Sequence, residues 1–249
     1  MKKRKRILIL MALIALSALL AGCAGEQAKL VTSGDRQMLA GNYQSAAEQY
    51  QKAQKREASD KVQLRLATAL LKAGRYNEAL AELDKASQGL PKADYLRAVC
   101  YVGLNDVASA QKSLEQALQG TPDDSHALAL LGRLKFLQKQ YAQSIEAYKL
   151  ALTTSSDEAV RTKLYYNLAM AQMLAGQFKQ ADDSFKQYLV KQNFVTAEDN
   201  RTAGAIAYAA GDHDRALRHW QKLSGKEKQQ ILNAIAEESK AFGELAAAN

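Results

Sequence analysis

The hydrophobic positions of this chain follow two different patterns. Near the start, Ile7 to Leu20 is an apolar run of 14 residues that only Ser17 interrupts. From about residue 27 to residue 224 a mixed pattern recurs: a turn residue, a ring or valine two positions later, then a small, a large apolar and a small or apolar residue at steps of three, four and three. These steps place the apolar residues on one side of a helix, so each copy predicts an amphipathic helix after a turn.

Six copies of the mixed pattern follow one another. Their turn residues are Gly41, Gly74, Asn105, Lys139, Gly176 and Gly211. Their first small residues are Ala46, Ala79, Ala110, Ser144, Ala181 and Ala216, at steps of 33, 31, 34, 37 and 35 residues. A period of this length indicates a repeat architecture in which each unit packs only against its neighbours.

This period resembles that of the tetratricopeptide repeat (TPR), a helix–turn–helix unit of 34 residues. The pairs Leu66-Ala67, Leu131-Gly132 and Leu168-Ala169 stand where that family has Leu-Gly or Leu-Ala. The resemblance implies an all-α fold, a right-handed superhelical solenoid of about six repeats over residues 27–224. Beyond it, a capping helix is predicted over residues 225–249, because apolar residues recur there at helical spacing, namely Ile231, Ile235, Phe242 and Leu245.

The small residues have a steric interpretation. We expect the two helices of a repeat to cross closely, so that only a small side chain fits at the contact. A glycine turn residue ends the first helix in a left-handed conformation, which Asn105 tolerates and Lys139 adopts poorly. The fourth turn is therefore expected to differ from the others. In the first copy, Ser33 and Gly34 interrupt the helical pattern and could instead mark a loop.

Polar residues mark several predicted helix starts. The pairs Ser155–Glu158 and Ser224–Glu227 have the spacing of capping boxes. Thr121 before Pro122 fits an N-cap followed by a proline in the first turn.

The N-terminal region has the plan of a bacterial lipoprotein signal. Residues 1–6 contain five basic residues, and the apolar run after them is shorter than the about 17–25 residues that span a membrane. Leu20-Ala21-Gly22-Cys23 resembles the lipobox of bacterial lipoproteins. The resemblance implies a cleaved signal peptide over residues 1–22, a lipid on Cys23 and a lipidated tether over residues 23–26. A plain secretory signal with a chance cysteine is the alternative.

The lipobox also bears on location. In that family, aspartate after the cysteine tends to retain the protein at the inner membrane, so Ala24 favours a lipid-anchored position at the outer membrane, facing the periplasm. In a Gram-positive host the same signal would place the chain on the outer face of the plasma membrane. Cys100, the other cysteine, lies in an apolar stretch and is expected to be a buried thiol without a disulfide partner.

Charge and side-chain chemistry narrow the function. The formal net charge of +8 falls to +3 without residues 1–22, because five basic residues and no acidic ones lie there. So small a net charge gives no basis for nucleic-acid binding. His126, His213 and His219 do not pair at the spacing of metal ligands, and no phosphate- or nucleotide-binding glycine loop is present. We therefore predict no enzyme activity, no metal and no cofactor other than the lipid on Cys23.

The TPR resemblance implies a partner-binding groove lined by the first helix of each repeat. Carried over residue by residue, its lining is Leu64, Leu71, Tyr95, Val99, Arg133, Phe136, Tyr166, Met170, Met173, Arg201 and Tyr208. This stripe is apolar, rich in Met and Tyr and poor in charge, which suits an amphipathic helix or an extended apolar peptide. Any one of these residues could instead pack between neighbouring repeats.

The combination of a lipobox with about six repeats resembles the pilus-assembly lipoproteins, in particular the TadD class of the tight-adherence (Flp) pilus and the pilotins of type IV pili. The resemblance implies a scaffold that binds protein partners, such as a secretin or another pilus-assembly component, and that reaches the membrane through its lipid anchor. Two other TPR lipoprotein roles stay open: a periplasmic adaptor for peptidoglycan enzymes, and a factor in outer-membrane protein assembly.

Overall fold

The computed structural model describes residues 25–231 and 233–235. The predicted signal peptide over residues 1–22, the predicted lipid attachment at Cys23 and the end of the predicted capping helix over residues 236–249 lie outside the described residues. The described part is helical and contains no strand, so the predicted all-α fold is confirmed.

The helices form two compact units. The N-terminal unit ends at Pro122 and contains three hairpins: α1 (25–39) with α2 (Tyr43–Arg56), α3 (Asp60–Lys72) with α4 (Tyr76–Leu83), and α5 (Pro91–Gly103) with α6 (Val107–Gly120). The C-terminal unit begins at Asp123 and contains three more: α7 (Ser125–Leu137) with α8 (Tyr141–Thr154), α9 (Glu158–Leu174) with α10 (Phe178–Val190), and α11 (Ala197–Ala209) with α12 (His213–Trp220), followed by α13 (225–231 and 233–235). Each hairpin corresponds to one predicted repeat. Helix α1 already includes residues 25 and 26, which the sequence analysis places in the tether.

The first small residue of every repeat lies where the two helices of its hairpin meet. All six have a relative exposure of 0%: Ala46, Ala79, Ala110, Ser144, Ala181 and Ala216. The hydroxyl of Ser144 is accommodated there because its Oγ donates a hydrogen bond to the carbonyl of Gly132 on the facing helix at 2.7 Å. The predicted phase of the repeat is therefore confirmed.

A second restriction on side-chain size links two positions, one on each helix of a hairpin. In three repeats the first helix carries a glycine, and a Cβ built there would meet a ring 16 positions later: 2.5 Å from Tyr50 for Gly34, 2.6 Å from Tyr148 for Gly132 and 2.1 Å from Trp220 for Gly204. The other three repeats have alanine with Leu or Phe at the same separation, and all of these are buried: Ala67 with Leu83, Ala98 with Leu114, and Ala169 with Phe185. Tyr or Trp thus occurs only where the facing position has no side chain.

Gly34 follows this rule, and the loop interpretation of Ser33 and Gly34 is wrong. Both residues lie inside the continuous helix α1. The glycine is required by its contact with the buried ring of Tyr50 rather than by a turn. A local reading of helix propensity misses this, because the reason for the glycine stands on the next helix.

All six turns between the paired helices have one conformation. The six turn residues have positive φ, from 60° at Lys139 to 86° at Gly211. In the fourth turn, Lys139 N–H donates to the Phe136 carbonyl and Gln140 N–H donates to the Lys135 carbonyl, both at 2.9 Å, and the other five turns repeat this pair of hydrogen bonds. The expectation that the fourth turn differs is wrong, because these bonds hold Lys139 in the left-handed region.

Replacing Lys139 with glycine is therefore expected to raise the free energy of unfolding by about 0.5–1 kcal/mol. A left-handed conformation strains a side chain with a Cβ, and the greater freedom of glycine in the unfolded chain offsets only part of that gain. The midpoint of urea unfolding measures the change. In the matched control, Gly176→Lys should lower stability, since Gly176 has a φ of 74°. An unchanged midpoint for Lys139→Gly would show that the turn carries no strain.

Aspartates, not the predicted residues, begin two of the helices. Asp157 caps α9 by accepting hydrogen bonds from Ala159 N and Val160 N, whereas Ser155 ends α8. Likewise, α7 is capped by Asp124, whereas Thr121 ends α6. In both places a carboxylate lies two or three residues closer to the new helix, and it takes the free N–H groups.

The other helix starts include one predicted cap and one that was missed. Ser224 Oγ accepts from Glu227 N at 3.4 Å, as expected of an N-cap. The sequence analysis missed a complete capping box at Thr196 and Asp199, which begins α11.

The described part of α13 packs on the last hairpin. Ile231 and Ile235 contact a buried cluster of Ala207, Ala216, Trp220 and Leu223. These contacts are the ones that a helix covering the end of the sixth repeat would make.

Candidate partner-binding site

The predicted groove residues are all at least partly accessible to solvent. Arg133 and Arg201 are exposed, and the remaining nine of the eleven are half-buried. None belongs to the fully buried core, so all eleven retain surface that another molecule could contact. The two units differ, however, in what surrounds these residues.

In the N-terminal unit, the first helices of the three repeats share a cavity of about 580 Å³. Its lining comes from α1, α2, α3 and α5: Asp35, Met38, Leu39, Tyr50, Lys61, Leu64, Arg65, Thr68 and Lys92. A volume of this size lies within the range of ligand-binding clefts. Of the predicted groove residues, Leu64 lines it, and Tyr95 lies beside it with its ring 5.0 Å from the Lys92 ammonium.

A hydrogen-bonded set of three residues forms one side of this cavity. The Asp35 carboxylate accepts from the Tyr50 hydroxyl at 2.6 Å and forms an ion pair with Arg65. Burial, followed by the hydrogen bond to Asp35, raises the pKa of Tyr50 to about 12, so this phenol is neutral at physiological pH. Asp35 therefore contributes no free negative charge, because Arg65 already balances it.

This cavity carries more charge than the stripe of predicted groove residues. Lys61, Arg65 and Lys92 bring three positive charges to it, against the single carboxylate of Asp35. Two features of the sequence hide these charges. Asp35 belongs to a helix that the pattern left uncertain, and Lys92 reaches the site from a helix about 30 residues further on than Lys61.

In the C-terminal unit, several predicted groove residues are partly engaged in packing. Tyr166 lies against Phe185 and Tyr188, with ring centroids 6.0 and 5.2 Å away. Met170 and Met173 pack against the same buried cluster. The Tyr188 hydroxyl donates to Asp199 at 2.9 Å, which ties this aromatic cluster to the start of α11.

Three other predicted residues of this unit also have partners within the chain. The ring of Phe136 packs against that of Tyr141, with the ring centroids 5.7 Å apart. The ring of Tyr208 packs against that of His213, with the centroids 4.7 Å apart. Arg201 forms ion pairs with Glu198 at 2.5 Å and with Glu227 at 2.6 Å. Its charge is thus balanced within the chain, which makes it a weaker candidate for binding an acidic partner.

A second cavity, of about 710 Å³, lies on a different face of α7. Leu128, Leu131 and Lys135 line it from α7, and residues of α8, including Leu150, complete it. The predicted groove residues Arg133 and Phe136 do not line it. Leu150 has a relative exposure of 49%, and this exposure is visible only in the folded chain.

The remaining candidate chemistry consists of one cysteine and the possible metal ligands of the chain. Cys100 is a free thiol with no exposed surface, and burial raises its pKa to about 11, which keeps the sulfur protonated and unreactive. Over residues 25–231 and 233–235, no group of three or more His, Cys, Asp or Glu side chains could hold a metal ion. A search of the same residues finds no helix with the length and apolar character needed to cross a membrane.

Comparison with known proteins agrees with the repeat pattern. Two sequence profiles of the tetratricopeptide repeat match, one over residues 37–100 and one over residues 95–159. A search of the curated proteins finds no significant match.

Solved structures with a similar fold include a type IV pilus biogenesis factor. PilW, described as a widely conserved type IV pilus biogenesis factor, is 21% identical with a TM-score of 0.70, over 83% of this chain and 98% of that one. The pilF protein of Pseudomonas aeruginosa is 17% identical with a TM-score of 0.67, over 86% and 99%. A chain in the Cut9–Hcn1 structure of the APC/C is 16% identical with a TM-score of 0.69. The match covers 79% of the present chain but only 39% of the length of that one.

At these identities the structural likeness shows the fold alone. The two profile matches and the six hairpins give the same repeat, with its small residues buried at the same point each time. The described part of the chain therefore has the all-α fold of a tetratricopeptide-repeat protein.

Proposed function

We propose that this protein is a membrane-anchored TPR scaffold lipoprotein that binds protein partners and aids the assembly or localisation of a pilus secretin. The observation that carries the proposal is the cavity of the N-terminal unit, to which the first helices of three successive repeats contribute half-buried apolar and exposed cationic side chains. Such a surface suits a peptide or helix of another protein. The similarity in fold to PilW, a type IV pilus biogenesis factor, supports the choice of a pilus system.

The membrane anchor is the second part of the proposal. Cys23 in the lipobox-like sequence Leu20-Ala21-Gly22-Cys23 would carry the lipid, and Ala24 favours the outer membrane, with the repeats in the periplasm. Two or more acyl chains give stable anchoring, whereas one gives only marginal binding. Confinement to the membrane surface would raise the effective concentration of a partner that the repeats hold, without requiring any new contact.

Substituting Cys23 with alanine is expected to abolish incorporation of labelled palmitate and to remove the protein from the outer-membrane fraction. The measurement is metabolic labelling followed by membrane fractionation of a bacterial host. Cys100→Ala is the matched control, because it removes the only other cysteine and should leave the label in place. Equal labelling of the Cys23→Ala variant and the unmodified protein would refute the anchor.

Photo-crosslinking in the same bacterial host identifies the partner. A photo-crosslinking amino acid at Thr68, which lines the N-terminal cavity, should capture a secretin or another pilus-assembly protein. A crosslinker at Lys112, which is exposed on α6 and does not line the cavity, serves as the control. Capture of a peptidoglycan enzyme or of an outer-membrane assembly protein at Thr68 would replace the pilus role with one of those two roles.

A further inference from the structure

We propose that the cavity of the N-terminal unit selects an amphipathic partner segment that is acidic: apolar side chains enter the cavity, and carboxylates flank them. This inference rests on the proposed protein-binding function and names the chemistry of the partner. Three observations carry it, namely the apolar floor of the cavity, its unbalanced cations and the place of those cations on their helices.

The floor of the cavity offers apolar surface. Met38 and Leu64 are half-buried and pack against the core of the unit, and Leu39 next to them has a relative exposure of 91%. A leucine this exposed at the edge of an apolar cleft has nothing within the described chain to cover it. Apolar side chains of a partner would remove this surface from water, which favours binding.

The charge of the cavity is unbalanced. Asp35 pairs with Arg65, so the only carboxylate of the lining is already used. Lys61 and Lys92 are exposed, and neither ammonium lies within ion-pair distance of a carboxylate in the part of the chain that the structure describes. The Lys92 ammonium lies over the Tyr95 ring instead. Two positive charges therefore remain beside an apolar floor.

The position of the two lysines is unfavourable for the free protein. Each is the second residue of its helix, α3 or α5, close to the positive end of the helix dipole. The aspartates of these first turns are engaged elsewhere: Asp60 accepts from Ser87 N at 2.9 Å, and Asp94 pairs with Arg97 at 2.6 Å. The two lysines and the N-terminal ends of α3 and α5 therefore offer positive groups to which carboxylates of a partner can bind.

The test measures the affinity of the purified full chain, in a non-ionic detergent, for two labelled peptides by fluorescence anisotropy. Both peptides are helical and carry leucine along one face. One has glutamate on both flanks of that face, and the other has lysine at the same positions. We expect the glutamate peptide to bind about tenfold more tightly at low salt, and the difference to shrink at high salt.

The variant Lys61→Glu with Lys92→Glu should reverse the preference between the peptides. Both lysines are exposed, so the fold should be unaffected, which circular dichroism checks. Lys52→Glu with Lys112→Glu makes the same change in net charge on second helices of this unit and should leave the preference within about twofold.

Three results would overturn the proposal: equal binding of the two peptides, binding of neither, or an unchanged preference in the Lys61 and Lys92 variant. Binding of phosphatidylglycerol vesicles that this variant abolishes, with neither peptide bound, would assign the two lysines to a lipid surface instead. The proposed scaffold role is tested separately by lipidation and crosslinking in cells, so the two proposals can fail independently.

Discussion

Replacing Ala110 with leucine is expected to lower the free energy of unfolding by about 1–3 kcal/mol, because it adds three carbon atoms at a contact that is already filled. Ala110 has no exposed surface and lies where α5 and α6 pack together. Its neighbours cannot move apart without losing contacts of the two helices along their length. The midpoint of urea unfolding, followed by circular dichroism, measures the loss.

The control for this substitution lies on the same helix. Ala108 is exposed two residues earlier on α6, so Ala108→Leu should change stability by no more than about 0.5 kcal/mol. Leucine and alanine have similar helix propensities, and the pair of variants therefore separates packing from propensity. Equal effects at the two positions would mean that Ala110 does not mark the helix crossing.

Introducing alanine at Gly204 is expected to destabilise the protein by about 1–3 kcal/mol, although the same change normally stabilises a helix interior. The new Cβ would lie 2.1 Å from Nε1 of Trp220 and 2.5 Å from its Cδ1. The indole is 4% exposed and packs against Tyr208, which leaves it little room to move.

A second substitution should reverse the sign of this effect. In a Trp220→Leu background, Gly204→Ala should raise stability by about 0.5–1 kcal/mol, because the clash is gone and the helix-propensity gain of alanine remains. The resulting alanine–leucine pair is the one that two other repeats already have, as Ala67 with Leu83 and as Ala98 with Leu114. If Gly204→Ala had the same effect in both backgrounds, the size rule between the paired helices would be wrong.

Much of the fold could be read from the sequence because TPR hairpins depend on short-range contacts. The period of six small residues located every hairpin, and the structure confirms each one as buried. The sequence-based predictions were wrong at residues whose type suggests one structure locally but is explained by contacts with another part of the hairpin. Its neighbours in sequence suggest that Gly34 breaks a helix, whereas the glycine in fact makes room for the Tyr50 ring. Lys139 is an unfavourable turn residue by type, but the same hydrogen bonds hold it as hold glycine in the other turns.

The candidate site was less predictable for the same reason. Sequence position alone could assign Leu64 and Tyr95 to the first helices of their repeats, and both lie in or beside the cavity. It could not bring Asp35, Lys61 and Lys92 together, because each comes from a different repeat about 30 residues from the next. A helical period reports which residues share one face of one helix, but not which faces of different helices meet.

The sequence by itself determined the helical repeats, their number, the first small residue of each hairpin and the lipobox-like start, since these follow from residues that are near one another along the chain. Only the tertiary structure decided which ring needs a glycine opposite it, which aspartates cap the helices and which cations remain unpaired beside an apolar cleft. These features depend on distances between atoms of different helices, which are set when the hairpins pack.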